Sequence, residues 1–275
     1  MALELMYITN SPKIAKIVEN SGVERVFLDL ETLGKEERQK NMNTVKSHHT
    51  VQDVAEVSKV LSTAECMVRI DPWHEHSVKQ IEAVIAAGAQ RIMLPMWKST
   101  EEVKAFFDCV GGRTATTLLL ETKEAAECLD EVLTLPGLDE IHIGLNDLHL
   151  SYGLTFMFQL LSNGTVEKLC QKMKNAGISY GFGGIARIGE GMLPADSVVL
   201  EHYRLGSTRA ILARAFCNTE IVADEAEIEK VFKENVANLR AFESGIDLAD
   251  KARFEENIQC VKECVDKIVE RIRNK

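Results

Sequence analysis

The 275 residues are enough for one α/β barrel or two smaller domains, and a content of 45% hydrophobic and 27% charged residues is ordinary for a globular protein. The formal charge of −10 argues against a nucleic-acid-binding surface, which needs clustered basic residues. No apolar run approaches the roughly 20 residues of a membrane span, and the N-terminal segment lacks the features of a signal peptide, so we expect a cytoplasmic protein without a nucleic-acid or membrane partner.

Short β-rich runs alternate along the chain with amphipathic helical stretches. Eight such alternations predict a parallel sheet, which eight strands can close into a (β/α)8 TIM barrel. The predicted strands cover residues 4–8, 25–30, 66–70, 91–95, 116–120, 140–144, 178–182 and 203–207. The predicted helices cover residues 11–20, 50–61, 76–85, 99–108, 122–133, 164–176 and 208–216.

Beyond residue 220 the alternation stops. Residues 223–243 and 250–273 have the pattern of two charged amphipathic helices. We therefore divide the chain into a catalytic barrel of residues 1–220 and a helical extension of residues 221–275. The apolar stripe from Ile258 to Ile272 leaves two roles open for the extension, a cap on the same chain or an oligomerisation arm.

Two carboxylates follow neighbouring predicted strands. Glu121 comes after the fifth strand and Asp147 after the sixth. Because all strands of a parallel barrel point the same way, residues past their ends meet at one rim, where barrel enzymes keep their chemistry. Two carboxylates there would suit Mg²⁺ or Mn²⁺, which prefer oxygen ligands. Alternatively, each carboxylate caps the helix that follows it.

Other residues near the predicted strand ends could bind or activate a substrate. Arg69 could neutralise a developing oxyanion, or could form a structural ion pair with Asp71 or Glu31. The turn Gly144-Leu145-Asn146 offers backbone N–H groups that could cradle a carboxylate or phosphate. Ser207, at the end of the predicted eighth strand, could touch the substrate or cap a helix.

Two histidines lie at the end of the segment 32–49, the longest stretch without clear periodicity. His48 or His49 could act as a general acid or base near neutral pH, although solvated loop histidines are also common. His142 alternates with apolar residues and is expected to face the helix layer or the core. The seven cysteines contain no CxxC pair, which favours reduced thiols.

Taken together and in order, these motifs resemble the HpcH/HpaI aldolase and citrate lyase β-subunit family, over roughly residues 22–217. The resemblance implies a modified barrel with Mg²⁺ or a similar metal, and enzymes that cleave or form carbon–carbon bonds next to a keto acid or acyl thioester. It also implies a homo-oligomer, because members often exchange their last barrel helix. The segments that carry it are Asp29-Leu30-Glu31, Val68-Arg69-Ile70-Asp71-Pro72, Met93-Leu94-Pro95-Met96, Leu120-Glu121-Thr122 and Ile143-Gly144-Leu145-Asn146-Asp147-Leu148.

By this resemblance, Glu121 and Asp147 correspond to the metal-ligating carboxylates and Arg69 to the arginine that steadies the enolate oxygen. The backbone of Gly144, Leu145 and Asn146 corresponds to the groups near the substrate carboxylate.

The chain departs from the pyruvate aldolases of the family at two positions. Thr32 stands where they have an acid/base histidine, and Leu119 stands where they have a glutamine. His48 or His49 could supply the missing acid/base group from the loop. The stretch around Glu31 looks more like the branch that acts on acyl thioesters.

The sequence therefore predicts a metal-dependent aldolase or lyase that acts on a pyruvate-like unit. Its expected catalytic residues are Arg69, Glu31, His48 and His49. Lys98 and Lys123 follow strand ends but are not well placed for a Schiff base, which favours a metal over an imine. Two alternatives stay open. One is an acyl-CoA lyase with a nucleotide bound by Lys35, Lys40 and Lys46, and the other is a barrel that binds a keto acid without turnover.

Overall fold

The computed structural model describes residues 2–34, 49–219, 222 and 224–274. Eight parallel strands form a closed barrel in which each strand pairs with the next and the last closes on the first, which confirms the predicted TIM barrel. The strands are β1 (Glu4–Ile8), β2 (Arg25–Asp29), β3 (Glu65–Arg69), β4 (Arg91–Leu94), β5 (Ala115–Leu120), β6 (Glu140–Ile143), β7 (Ser179–Ile185) and β8 (Arg209–Leu212).

Helices cover the outside of the barrel, and several begin where the sequence offers a side-chain cap. Thr50, for example, forms a capping box with Asp53 at the start of the second described helix. The described helices are α1 (Pro12–Asn20), α2 (Val51–Val60), α3 (Ser77–Ala86), α4 (Thr100–Val110), α5 (Lys123–Glu127), α6 (Leu129–Val132), α7 (Leu145–Ser151), α8 (Gln159–Ser162), α9 (Thr165–Asn175), α10 (Ala195–Leu205), α11 (Glu225–Ser244) and α12 (Lys251–Arg273).

The prediction for the eighth strand was wrong. Residues 203–205 end helix α10, and β8 lies within the segment 208–216 that was predicted to be helical. Helix α10 ends at Gly206, which adopts the left-handed conformation with φ 74°. Ser207 therefore precedes β8, at the end of the barrel opposite the rim, where its hydroxyl lies 2.8 Å from His202 Nδ1. It cannot touch a substrate at the rim.

Alternate residues of the strands point into the barrel and fill it in layers. A layer of paired arginines and glutamates lies at the N-terminal end, with Arg25 donating to Glu140 at 2.7 Å. A small apolar layer lies above it, towards the C-terminal end. Its members are Met6, Phe27, Met67, Met93 and Leu119. This apolar layer forms the floor on which the rim residues sit.

Both C-terminal helices pack against the barrel of the same chain. In α11, Glu243 accepts a hydrogen bond from Leu3 N at 2.8 Å. In α12, Asn257 donates to Ser197 O at 3.1 Å, and Val261, Val265 and Val269 are buried, while Ile258 and Ile272 at the two ends of the stripe stay exposed. The division into two domains and the role as an oligomerisation arm stay predictions.

None of the helices in the described part of the chain combines the length and the apolar character that crossing a bilayer requires.

Candidate active site

A pocket of about 220 Å³ opens at the C-terminal end of the barrel. This volume lies below the range of roughly 300–1,000 Å³ for drug-sized ligands, so the pocket suits a small substrate. It brings together most of the residues predicted from the strand ends. These are Glu31, Arg69, Glu121, Gly144, Leu145, Asn146 and Asp147.

Glu121 is held at the end of β5 by close packing and one backbone donor. It is buried, and its Oε1 atom accepts a hydrogen bond from Met96 N at 3.1 Å. Met96 adopts a positive φ of 52°, which is uncommon for a residue other than glycine and aims its N–H at the carboxylate. A Cβ atom on Gly144 would lie 2.7 Å from Glu121 Oε2, so only glycine fits at the end of β6.

The surroundings of Glu121 disfavour its negative charge. Burial raises the pKa of this carboxyl well above the usual 4.5, and the charge of Asp147 raises it further. Arg69 acts in the opposite direction, and Glu31 adds a smaller repulsion. Carboxylates that repel one another in a buried pocket form a site that a cation would stabilise.

Arg69 is fixed by a bidentate ion pair. Its Nε and Nη2 atoms each donate to one oxygen of Asp29 at 2.8 Å, and Nε also lies 3.4 Å from Glu31 Oε2. Burial acts to lower the pKa of the guanidinium, but Asp29 and Glu31 raise it above its usual value, so the cation is permanent. Since Asp29 occupies Nε and Nη2, the Nη1 side is the part that can reach a substrate.

Asp71 does not pair with Arg69. Its Oδ1 atom accepts hydrogen bonds from the backbone of Thr32 at 2.6 Å and Leu33 at 2.9 Å, and its Oδ2 atom accepts from Gln80 at 2.9 Å. Asp71 therefore ties the segment after β2 to the end of β3. Thr32, which stands in the place of the acid/base histidine, also donates its hydroxyl to Asp71.

The predicted acid/base histidines are only partly described. His48, with Lys35, Lys40 and Lys46, lies outside the described residues. His49 is half-buried, and its Nδ1 atom accepts a hydrogen bond from Asp29 N at 2.9 Å, which places its proton on Nε2. His49 contacts the backbone of Asp29 and is not among the residues that line the pocket, so its catalytic role stays a prediction.

His142 points into the barrel and lines the pocket, which the sequence reasoning missed. Its Nε2 atom lies 3.1 Å from Gly183 O, and burial lowers its pKa to about 4, so the imidazole is neutral at pH 7. The signal for it was the alternation of strand residues. His142 in β6 and Gly144 directly after β6 fall on the same face of the strand, and both line the pocket.

An apolar part of the pocket was also missed. It is formed by half-buried and buried side chains on several strands and one loop, which no strand-end rule would select. These side chains are Ile8, Phe27, Leu119, Met157 and Ile211. Two of them, Phe27 and Leu119, belong to the apolar layer inside the barrel.

The turn after β6 differs in one detail from the predicted cradle of N–H groups. Gly144 N donates to Leu120 O at 3.0 Å, so this N–H belongs to the sheet and is not available to a ligand. Leu145 and Asn146 then open helix α7, where backbone N–H groups of a first turn lack helical partners. These two residues remain the candidates for binding a carboxylate.

The donor set fits a hard divalent cation. Within the described part of the chain, no group of three or more His, Cys, Asp or Glu side chains is arranged around one metal position. Mg²⁺ is usually held by one or two carboxylates together with oxygens of water and substrate, so Glu121 and Asp147 suffice. Zinc sites commonly use histidine or cysteine ligands, and this pair contains neither.

The fold is shared with several solved structures. An HpcH/HpaI aldolase from Desulfitobacterium hafniense DCB-2 is 15% identical, with 85% of this chain and 93% of that chain covered and a TM-score of 0.62. An HpcH/HpaI aldolase/citrate lyase family protein from Burkholderia cenocepacia J2315 is 12% identical, with 88% and 95% covered and a TM-score of 0.61. The citrate synthase SbnG is 15% identical, with 88% and 95% covered and a TM-score of 0.60. At these identities the similarity shows the fold alone.

Sequence comparison gives the family. No curated protein matches the chain. The model of the HpcH/HpaI aldolase/citrate lyase family matches residues 4–180, which is more than half of the chain and includes strands β1 to β6 with every candidate carboxylate of the pocket. The chain therefore belongs to the HpcH/HpaI aldolase/citrate lyase family.

Proposed function

We propose that the protein is a divalent-metal-dependent aldolase or lyase that makes or breaks a carbon–carbon bond next to a 2-keto acid, by way of a pyruvate-like enolate. The observation that supports it most is the position of Glu121, whose buried carboxylate shares one pocket with Asp147 and Arg69. Membership of a family of aldolases and lyases supports the same class of reaction.

Glu121 and Asp147 would hold Mg²⁺ or Mn²⁺. When bound, such an ion supplies a Lewis acid that polarises the keto group of the substrate. The Met96 N–H and the bare Cα of Gly144 keep the Glu121 carboxylate in place before any ligand arrives. A site that is organised in advance loses little energy to rearrangement during the reaction.

Arg69 would bind the oxygen on which negative charge develops. Its guanidinium lies half-buried beside Phe27, at 5.5 Å from the ring centroid to Cζ, and Asp29 fixes its plane. A cation in such a water-poor place stabilises an oxyanion more strongly than it would in water. The backbone N–H groups of Leu145 and Asn146, which also line the pocket, would bind the substrate carboxylate.

Proton transfer would involve Glu31, which follows strand β2 and lines the pocket. In the cleavage direction a base removes the proton from the hydroxyl oxygen, the carbon–carbon bond breaks, and the hydroxyl-bearing carbon becomes an aldehyde. The enolate carbon then takes a proton to give the methyl group of the keto acid. His49, whose Nδ1 atom accepts the N–H of Asp29, would assist Glu31.

The test is oxaloacetate decarboxylation and proton exchange at the methyl group of pyruvate, each with Mg²⁺ or Mn²⁺ and with a chelator. We expect metal-dependent activity in the wild type and its loss in Glu121→Ala. Glu124→Ala, which removes an exposed carboxylate three residues away, is the matched control and should keep full activity. If metal binds but neither reaction occurs, the proposal is wrong, and a thioester lyase or a binder without turnover would replace it.

A further inference from the structure

The pocket has a charged side and an apolar side. We infer that the substrate carries an uncharged alkyl group beyond its keto-acid unit, so that the acceptor in the bond-forming direction is an aliphatic aldehyde. This inference rests on the proposed function, and its evidence is the side of the pocket formed by β7, β8 and β1.

The charged residues that line the pocket come from one arc of the barrel. Glu31, Arg69, Glu121 and Asp147 follow or end β2, β3, β5 and β6. A keto-acid unit bound by these groups fills that arc. The rest of the substrate must then extend across the pocket, towards the strands that remain.

Those remaining strands offer apolar side chains. Ile8 ends β1 and Ile211 lies on β8, and the two strands pair with Met6 opposite Ile211. Both isoleucines are half-buried and pack on the apolar layer below. Met157 adds a third apolar side chain from the loop before α8, and it is anchored by the buried Phe156 and Phe158 on either side.

Strand β7 contributes backbone to this side of the pocket. Gly183 and Gly184 both line it, and neither adds a side chain to the space. Gly183 has a φ of 52°, and a Cβ atom there would lie 2.7 Å from Leu145 Cδ1, so a larger residue would be strained. The apolar side is therefore kept open by glycine on one strand and covered with hydrocarbon on its neighbours.

Among the described residues, those that β1, β7 and β8 contribute to the pocket carry no charge. The nearest polar ring is His142, whose Nε2–H donates to Gly183 O and whose lowered pKa of about 4 keeps it neutral at pH 7. A hydroxyl or carboxylate placed against Ile8, Ile211 and Met157 would lose its hydration without gaining a partner, and an alkyl group would lose nothing.

The reaction would join pyruvate to an aldehyde. A base removes one methyl proton of pyruvate, the resulting enolate carbon forms a bond with the aldehyde carbon, and the aldehyde oxygen takes a proton to become the hydroxyl of the product. No oxidant or further reactant is needed. The alkyl group of the aldehyde would lie against the apolar side of the pocket.

The test compares two aldehydes of equal heavy-atom number, propanal and glycolaldehyde, which differ by a methyl against a hydroxyl group. We expect kcat/KM for propanal to exceed that for glycolaldehyde by about ten- to a hundredfold, the discrimination that an apolar pocket achieves. Succinic semialdehyde, with a carboxylate, should react more slowly than butanal. Pyruvate proton exchange is measured in the same samples as an independent readout of the enolate chemistry.

Variants on the apolar side of the pocket test whether its side chains cause the preference for propanal. Met157→Gln keeps the length of the side chain and should lower the propanal-to-glycolaldehyde ratio by about fivefold or more, whereas Met157→Leu should keep it. If Met157→Gln does not fold, Ile211→Thr with the control Ile211→Val asks the same question.

Three results would overturn the inference. With pyruvate exchange intact, equal or faster reaction of glycolaldehyde contradicts the alkyl preference, while the proposed function stands. With pyruvate exchange intact, reaction of none of the aldehydes also contradicts it. If pyruvate exchange itself is absent, the proposed function is wrong and the alkyl preference falls with it.

Discussion

The two ends of the barrel interior hold their buried charges in different arrangements. At the N-terminal end three arginines and three glutamates pair with one another, so the layer is neutral and its charges are compensated. Its members are Glu4, Arg25, Glu65, Arg91, Glu140 and Arg209. At the C-terminal end, the described residues include four carboxylates and one guanidinium at or beside the pocket. These are Asp29, Glu31, Glu121 and Asp147 with Arg69.

This difference separates a structural use of buried charge from a functional one. A buried ion lowers the stability of a protein unless it has a partner of opposite charge. In the layer at the N-terminal end of the barrel, residues of the same chain supply these partners. At the C-terminal end, burial and the nearby charges of Asp147 and Glu31 raise the pKa of Glu121. A buried carboxyl with a raised pKa lowers the stability of the folded protein once it ionises, and a bound cation relieves this cost.

The largest expected effect is a loss of stability when the layer of paired arginines and glutamates at the N-terminal end is changed. Glu140 is buried and pairs with Arg25 and Arg209, so Glu140→Gln would leave the three arginines of this layer with only Glu4 and Glu65 as counter-charges. We expect the free energy of unfolding to fall by about 3–5 kcal/mol. Urea denaturation in the presence of chelator measures it. Glu65→Gln, at a side chain 25% exposed, should cost less, and a loss under about 1 kcal/mol for Glu140→Gln would contradict a structural role.

The next largest expected effect is a loss of activity when Arg69, at the C-terminal end, is changed. Arg69→Lys keeps a positive charge but loses the fork that Asp29 fixes. We expect metal-dependent pyruvate proton exchange to fall by about 100-fold or more, the usual cost of losing one oxyanion donor, with metal affinity little changed. Arg113→Lys, at an exposed pair with Glu82, is the control. Exchange within a factor of about three of the wild type would remove Arg69 from the mechanism.

The smallest expected effect is on the melting temperature. Removing the charge of Glu121 at the C-terminal end should stabilise the protein, whereas removing a charge from the layer at the N-terminal end should destabilise it. The folded state holds on to the Glu121 proton that the unfolded chain releases near pH 4.5, so this group's contribution to stability falls as the pH rises from 4.5 through the raised folded-state pKa. In chelator at pH 8, Glu121→Gln should therefore raise the melting temperature by about 2–4 °C, and the gain should vanish at pH 4. Calorimetry at the two pH values measures it, and destabilisation at pH 8 would be the contrary result.

The sequence predicted most of this fold because seven strands follow the simple alternation of apolar runs and helices. It failed at β8 because helix α10 buries polar side chains, among them Ser197, Glu201 and His202, which hide its apolar face. One of the hydrogen bonds that satisfy them, from Asn257 to Glu201 at 2.9 Å, comes from helix α12, 56 residues further along the chain.

The sequence predicted the site residues that follow strand ends. It did not predict the inward-facing residues that meet only when the eight strands close into a barrel. Glu121, Asp147 and Arg69 follow apolar runs and meet in one pocket as expected. His142 and Ile211 line the same pocket only because eight strands close and their inward residues converge, which no local pattern reveals. The compensated layer was missed for the same reason, since its charges look like surface residues one at a time.

The carboxylates of Glu121 and Asp147, which line one pocket at the C-terminal end of the barrel, are proposed to form a cation site. Equilibrium binding of Mn²⁺, measured by electron paramagnetic resonance of the free ion with wild type, Glu121→Gln and the surface control Glu124→Gln, tests it most directly. We expect one Mn²⁺ per chain in the wild type and control, with affinity that rises with pH as Glu121 loses its proton, and loss of this binding in Glu121→Gln. No binding to the wild type, or equal binding to Glu121→Gln, would contradict the claim.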